Sequence, residues 1–205
     1  YDTYLSPLEY SGVQVRVLRE STRMTPWFDG NVSRQVLFQG YLASAENKAE
    51  TANELAGMVN WNYALHYNFR LLDGRLSLLA GLMVQLHGGF LYNTRNSNNP
   101  AQARLYANMA LSGIARYTIP WKRCPLTLRY QVDAPFVGVM FSPQYGQSYY
   151  EIFSLGHSDG TVVCTSFHRQ PTMRHWFTAD MKFRRFTLRV GYMADMQQAR
   201  VNGLR

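Results

Sequence analysis

What this chain lacks narrows its reading first. Over 205 residues no apolar run approaches the ~18 residues that a membrane-spanning helix needs. Helical periodicity is scarce as well. With 2 cysteines, Cys124 and Cys164, a disulfide-dense scaffold is excluded and a single bridge stays open. There is no phosphate-binding glycine loop, dinucleotide fingerprint or paired Cys/His zinc spacing. Acidic residues are few: 13 against 21 Lys and Arg, for a net charge of +8. A basic chain invites nucleic acid as a partner. Here the cations form neither stripe nor tail, and no binding motif accompanies them, so nucleic acid is set aside. Without solenoid repeats or low-complexity tracts, residues 1–205 read as one domain.

What is present is alternation. Val59, Trp61, Tyr63, Leu65, Tyr67 and Phe69 interleave with Asn60, Asn62, Ala64, His66, Asn68 and Arg70. A period of two means an extended strand with one apolar and one polar face. Asp73-Gly74 follow, a strong hairpin signal. The alternation then resumes, with Leu76, Leu78, Ala80, Leu82, Val84 and Leu86 opposed to Ser77, Gly81, Met83, Gln85 and His87. Counting outward from the turn sets Leu71 against Leu76, so the two apolar faces coincide.

The same pattern predicts further strands near Gly12–Glu20, Val32–Ala43, Leu105–Tyr117, Leu126–Val132, Phe177–Phe183 and Phe186–Ala194. Arg184-Arg185 make a second tight turn, with Phe183 and Phe186 on one face. An apolar face must meet something apolar. A soluble sandwich satisfies that with a core, and a membrane barrel with lipid outside and a polar interior. The breadth of the pattern predicts the barrel: all-β, antiparallel, transmembrane, of outer-membrane type, with about eight to ten strands. A mean hydropathy of -0.28 is no obstacle for a barrel with a polar interior. Val59, Trp61, Tyr63, Leu65, Leu78, Leu82 and Val84 are expected to face lipid or a partner. Trp61, Tyr92, Tyr117, Trp121, Tyr130 and Trp176 suit interfacial girdles.

His66, Arg70, His87, Arg104, Arg116, Arg129, Asp133, Asp180 and Arg189 fall on the polar face. They are expected inside, paired with one another and leaving no conducting path, because an unpaired buried charge is costly. His66 and His87 can be imagined as a proton or metal site. Hydrogen-bonded interior residues are the expected reading, with no metal or cofactor. Short turns at Asp73-Gly74, Pro120–Pro125 and Arg184-Arg185 share one side by parity. Longer connections at Asn93–Gln102 and Ser142–Pro171 share the other, together with both visible chain ends. Either Tyr1–Leu8 adds a first strand and a closing strand follows Arg205, or the longer loops face the periplasm. The opening at Tyr1, without Met or signal segment, fits a mature exported chain.

The opening Tyr1-Asp2-Thr3-Tyr4-Leu5-Ser6-Pro7-Leu8-Glu9-Tyr10-Ser11-Gly12 resembles the start of a family of small, uncharacterised Bacteroidota proteins. Ser148-Tyr149-Tyr150-Glu151-Ile152-Phe153-Ser154-Leu155-Gly156 resembles a second block of it. The resemblance implies an exported outer-membrane barrel of unknown function and brings no catalytic residues.

Function is therefore expected on the loops or the outer wall. The leading expectation is a non-enzymatic accessory subunit of a larger outer-membrane assembly. Its partners would be the lipid bilayer and other outer-membrane or periplasmic proteins. The alternatives are a stand-alone small pore or lipid-interacting barrel, and a membrane-surface acyl hydrolase or transferase. The last would draw on His157, His168 and His175 with Ser154, Ser158 and Asp159. Tyr145, Tyr149, Tyr150 and Phe153 crowd one loop with aromatic surface and are expected to cap the barrel or to dock a partner. Tyr149–Phe153 is expected as a short helix or an inward-folded plug.

Overall fold

The alternating segments become one curled antiparallel sheet in a computed structural model that describes residues 4–96, 99–121 and 124–204. In chain order the elements are β1 (Tyr10–Met24), α1 (Trp27–Gly30), β2 (Val32–Asn47), β3 (Asn53–Leu71), β4 (Leu76–Asn93) and β5 (Ala101–Ile119). They continue with β6 (Leu126–Phe141), α2 (Tyr149–Phe153), β7 (Val162–Ser166), β8 (Met173–Lys182) and β9 (Thr187–Met196). Neighbours in the sheet run β1-β2-β3-β4-β5-β6-β8-β9, with β7 also paired to β6. No helix among the described residues is long and apolar enough to cross a membrane, which says nothing about strands.

Both turn registers stand as the sequence places them. Leu71 pairs with Leu76, and Leu72, Asp73 and Gly74 carry the chain round at positive φ. The Phe183 N–H donates to the Phe186 carbonyl at 2.9 Å, and the two rings stack at 4.9 Å. The short turns and α1 lie at one end of the sheet. The Asn93–Gln102 connection, the α2 segment and both chain ends lie at the other.

Three features depart from expectation. First, β6 runs on to Phe141, because the register shifts where Met109 faces Val137 and Ala110 faces Pro135. Phe136 is the extra residue. A bulge flips the parity of everything beyond it, so the second half of β6 reads as irregular in the sequence. Second, β7 forms inside the Ser142–Pro171 stretch. It pairs with Val137–Phe141, and β8 takes the Leu126–Asp133 half of β6. Third, no ladder joins β9 back to β1 among the described residues. The expected closed barrel is therefore a curled sheet with a seam. Tyr4 to Leu8 contribute turns and one bridge, not a strand. Tyr1–Thr3 and Arg205 lie outside the described residues. Cys124, at the short-turn end, and Cys164, on β7, are both free thiols.

The distribution of polarity is inverted relative to a soluble sheet protein. The concave side buries Gln35, Gln39, Asn60, Asn62, Gln131 and Asp133, each at 1 % exposure or less. The convex side exposes Val15, Leu42, Val59, Leu82 and Leu111. At the long-loop end the interior turns apolar: Val201, near the C-terminus, packs on Met58, Tyr106 and Met140. Leu204 meets Tyr4 and Leu5. Both chain termini thus fold into the same mouth.

Candidate functional site

The interior is built by strands that curl until opposite sides touch. Glu20 on β1 meets Arg129 on β6 at 2.8 Å, and Gln35 Nε2 donates to Glu20 Oε1 at 2.6 Å. Gln131 bridges Gln35 at 3.0 Å and Asp133 at 2.9 Å. Arg174 on β8 grips Asp133 through Nε at 2.8 Å and Nη2 at 2.6 Å. The Arg129 guanidinium also lies 4.6 Å from the centre of the Trp176 ring. Such a network holds buried charges only because each finds a partner. It fills the middle of the interior. Toward the long-loop end there are chambers of about 290 Å³, lined by Arg16, Glu54, Arg104 and Asp195, and about 400 Å³ beside Ser142, Gln198 and Leu204. The tail and the network bound them.

One serine–histidine contact lies within this network. Ser112 donates to Asp133 Oδ1 at 2.6 Å, so its oxygen is left to accept from His66 Nε2 at 2.8 Å. A nucleophilic serine needs the opposite arrangement, with its proton passing to the histidine. His66 and Ser112 are also buried, out of reach of a substrate. His87 lies in a separate layer, with Nδ1 2.7 Å from Asn60 Oδ1 and its ring stacked on Tyr106 at 4.1 Å. Among the described residues no three His, Cys, Asp or Glu converge on a metal position. In the long loop Ser154, His157, Ser158, Asp159 and His168 are exposed, and among the described residues no serine–histidine hydrogen bond links them. His175 instead meets the Tyr130 hydroxyl at 2.7 Å.

The polar-face residues divide by depth. His66, Arg129 and Asp133 are buried, whereas His87, Arg104, Arg116 and Asp180 are half-buried. Arg70 is the departure from an interior position: it sits exposed at the end of β3. Arg189 is also part-exposed, at the seam, where it pairs with Asp180 at 2.7 Å and with Glu20. Arg116 faces Arg129 directly in the β5–β6 register and, unlike Arg129, has no carboxylate partner among the described residues. The partner of Asp133, Arg174, escaped sequence reading because it precedes the alternation that marks the later strand. Its signal was a charge close before the Trp176-Phe177 pair. Of the outward candidates, Val59, Trp61, Leu78, Leu82 and Val84 are exposed, and Tyr63 and Leu65 are half-buried.

The aromatic loop splits in two. Ser148 and Glu151 cap α2 reciprocally: Ser148 Oγ accepts from the Glu151 N–H at 3.2 Å, and Glu151 Oε2 accepts from the Ser148 N–H at 2.7 Å. The Ser148 N–H and hydroxyl hold the Glu151 carboxyl below the usual carboxylate range. Tyr149 turns onto its own scaffold. Its hydroxyl accepts from the Ala103 N–H at 2.6 Å, and its ring meets Tyr4 edge-on at 6.1 Å. Tyr145, Tyr150 and Phe153 remain exposed at 74 %, 66 % and 71 %.

A family model described as Protein of unknown function (DUF3316) matches residues 1–205. No curated protein and no solved structure matches the chain. The match supplies neither a compartment nor a source organism.

Proposed function

We propose, for a chain that belongs to this family of unknown function, that it is an outer-membrane β-barrel serving as a non-enzymatic accessory subunit of a larger assembly. The observation that carries this reading is the inversion of polarity: amides and ion pairs inside, aliphatic and aromatic side chains outside. A soluble monomer rarely exposes a continuous apolar patch beyond a few hundred Å². A barrel in lipid requires one. The filled interior speaks against transport, since small barrels pack their lumen with side chains. What remains for function is the outer wall and the long-loop end, where Tyr145, Tyr150 and Phe153 present aromatic surface suited to a protein partner.

The test is co-purification from native membranes after detergent extraction, with partners identified by mass. The expected result is recovery in the outer-membrane fraction, heat-modifiable migration on gels, and a defined partner set. That set is lost in the variant carrying Tyr145→Ser, Tyr150→Ser and Phe153→Ser, which leaves Tyr149 in place. Recovery as a soluble monomer would end the membrane reading. Large, stable single-channel steps from the pure protein in planar bilayers would replace the accessory role with a pore.

A further inference from the structure

The convex wall is not apolar throughout. Arg19 and Arg23 on β1 and Arg34 on β2 have the outward parity of Val15, Val17, Val36 and Phe38, and all three are exposed. Arg23 and Arg34 are direct partners in the ladder, and Arg19 pairs with Phe38 two same-face positions along. Like charges set directly opposite one another in an antiparallel pair repel. Among the described residues none of the three has a carboxylate partner. Glu20, beside Arg19 in sequence, points the other way and is taken by Arg129 and Arg189. The strand order thus concentrates uncompensated positive charge on a wall whose surroundings are apolar.

The turn that joins β1 to β2 adds a second feature. In α1, Phe28 and Asp29 sit at φ 53 and 54, a left-handed conformation that a bulky residue rarely adopts. This turn leaves Trp27 and Phe28 exposed and sets Phe28 edge-on to Tyr67 at 6.4 Å. Tyr67 continues into Phe69 at 4.9 Å. An aromatic shelf beside unpaired arginines is the composition of a membrane–water interface, where amphipathic rings and long cationic side chains settle at headgroup level.

We propose that Arg19, Arg23 and Arg34 form a docking site for the phosphate of an anionic lipid headgroup, with the Trp27–Phe28 turn lying beside it. The proposal rests on the membrane reading above and adds to it a specific lipid class and place. A phosphate between Arg23 and Arg34 converts a repulsive pair into a shared clamp, because guanidinium groups bind phosphate through paired N–H donors. Arg19 sits farther along the same face, where its long side chain can reach back toward the headgroup level.

The test uses the full chain reconstituted in phosphatidylcholine vesicles, with and without phosphatidylglycerol. Relative lipid association is read from tryptophan quenching by brominated forms of each lipid. The wild-type chain is expected to prefer phosphatidylglycerol. That preference should fall about fivefold for each of Arg23→Gln and Arg34→Gln, the effect of one cation near an anionic surface. In pure phosphatidylcholine, where choline offsets the charge of each phosphate, the same variants should be as stable as the wild type or more so, because the repulsion is gone. Arg75→Gln removes the same charge from the hairpin at this end and should leave the preference unchanged. An equal loss in Arg75→Gln means diffuse attraction and overturns the site. Competition by inorganic phosphate means that a free anion is bound, and overturns the lipid assignment. Insertion into both vesicle types without preference sinks the site and leaves the membrane reading standing. Failure to insert into either sinks both.

Discussion

From β2 to β6 each strand is zipped to the next by a long antiparallel ladder, whereas β1 and β9 are bridged by side chains. Arg16 reaches Asp195 at 3.5 Å and the Met193 sulfur at 2.8 Å, and Glu20 meets Arg189. Moving from Arg16 to Glu20 along β1 moves the partner from Met193 back to Arg189, the progression of one antiparallel register. The seam therefore has antiparallel side-chain contacts across a gap, with no ladder between the two edges among the described residues. The comparison separates two kinds of cohesion. A ladder satisfies backbone groups, and each one left unsatisfied in lipid costs several kcal/mol. A part-exposed ion pair contributes only about 0–1 kcal/mol.

The sharpest test of this contrast sets one charge pair against another. Arg174→Met leaves the fully buried Asp133 without its partner, and should cost about 3–5 kcal/mol in urea unfolding from detergent micelles. Asp195→Asn at the seam should cost less than about 1 kcal/mol. Equal losses would mean that the seam carries as much stability as the laddered interior.

Next in size is the wall itself. Leu82 is exposed between Leu65 and Leu111 in the register. If that face meets lipid at mid-depth, Leu82→Arg should cost about 2–4 kcal/mol in folding into vesicles. An unchanged folding free energy would mean that this face does not meet lipid.

The width of the seam can also be gauged. Leu18 and Gly191 line the gap between the Arg16–Met193 and Glu20–Arg189 contacts. Leu18→Cys with Gly191→Cys should stay reduced on mild oxidation, because a disulfide needs Cα atoms within about 7 Å. Gel mobility before and after reduction reads the bond. A bond that forms readily and raises stability by about 2–4 kcal/mol would show that the two edges close to ladder distance.

Much of the wall was legible in the sequence because strand parity is local. The Leu71–Leu76 and Phe183–Phe186 registers follow from counting outward from a turn. Two things were hidden for physical reasons. The Phe136 bulge inverted parity in the second half of β6, the half that pairs with β7. The seam depends on whether the first and last strands meet, and no local pattern encodes that. The interior site was read in part: parity sets His66, Arg129 and Asp133, and equally Gln35, Ser112 and Gln131, on the polar face, while which of them touch comes only from the fold. Arg19, Arg23 and Arg34 carry a signal in the sequence, a charge at an apolar parity.

The smallest expected effect lies off the wall, in the loop whose shape neither ladder nor seam controls. The α2 turn is held at its start by the reciprocal Ser148–Glu151 cap. Ser148→Ala removes an N-cap acceptor and should cost about 1 kcal/mol of local stability, read as faster amide exchange at Glu151 and Ile152. The ionised Glu151 carboxylate accepts from Ser148, which lowers its folded pKa. Its contribution is therefore fully present above the usual carboxylate range and is lost as pH falls through the depressed value. Protection of the loop amides, corrected for the intrinsic pH dependence of exchange, should decline at acid pH in the wild type. It should be flat across that window in Glu151→Gln. The sheet ladder amides should show no such decline in either protein. If the ladder and loop amides lose protection together, α2 is coupled to the sheet beyond the Tyr149 contact with Ala103, and the cap does not act on the loop alone.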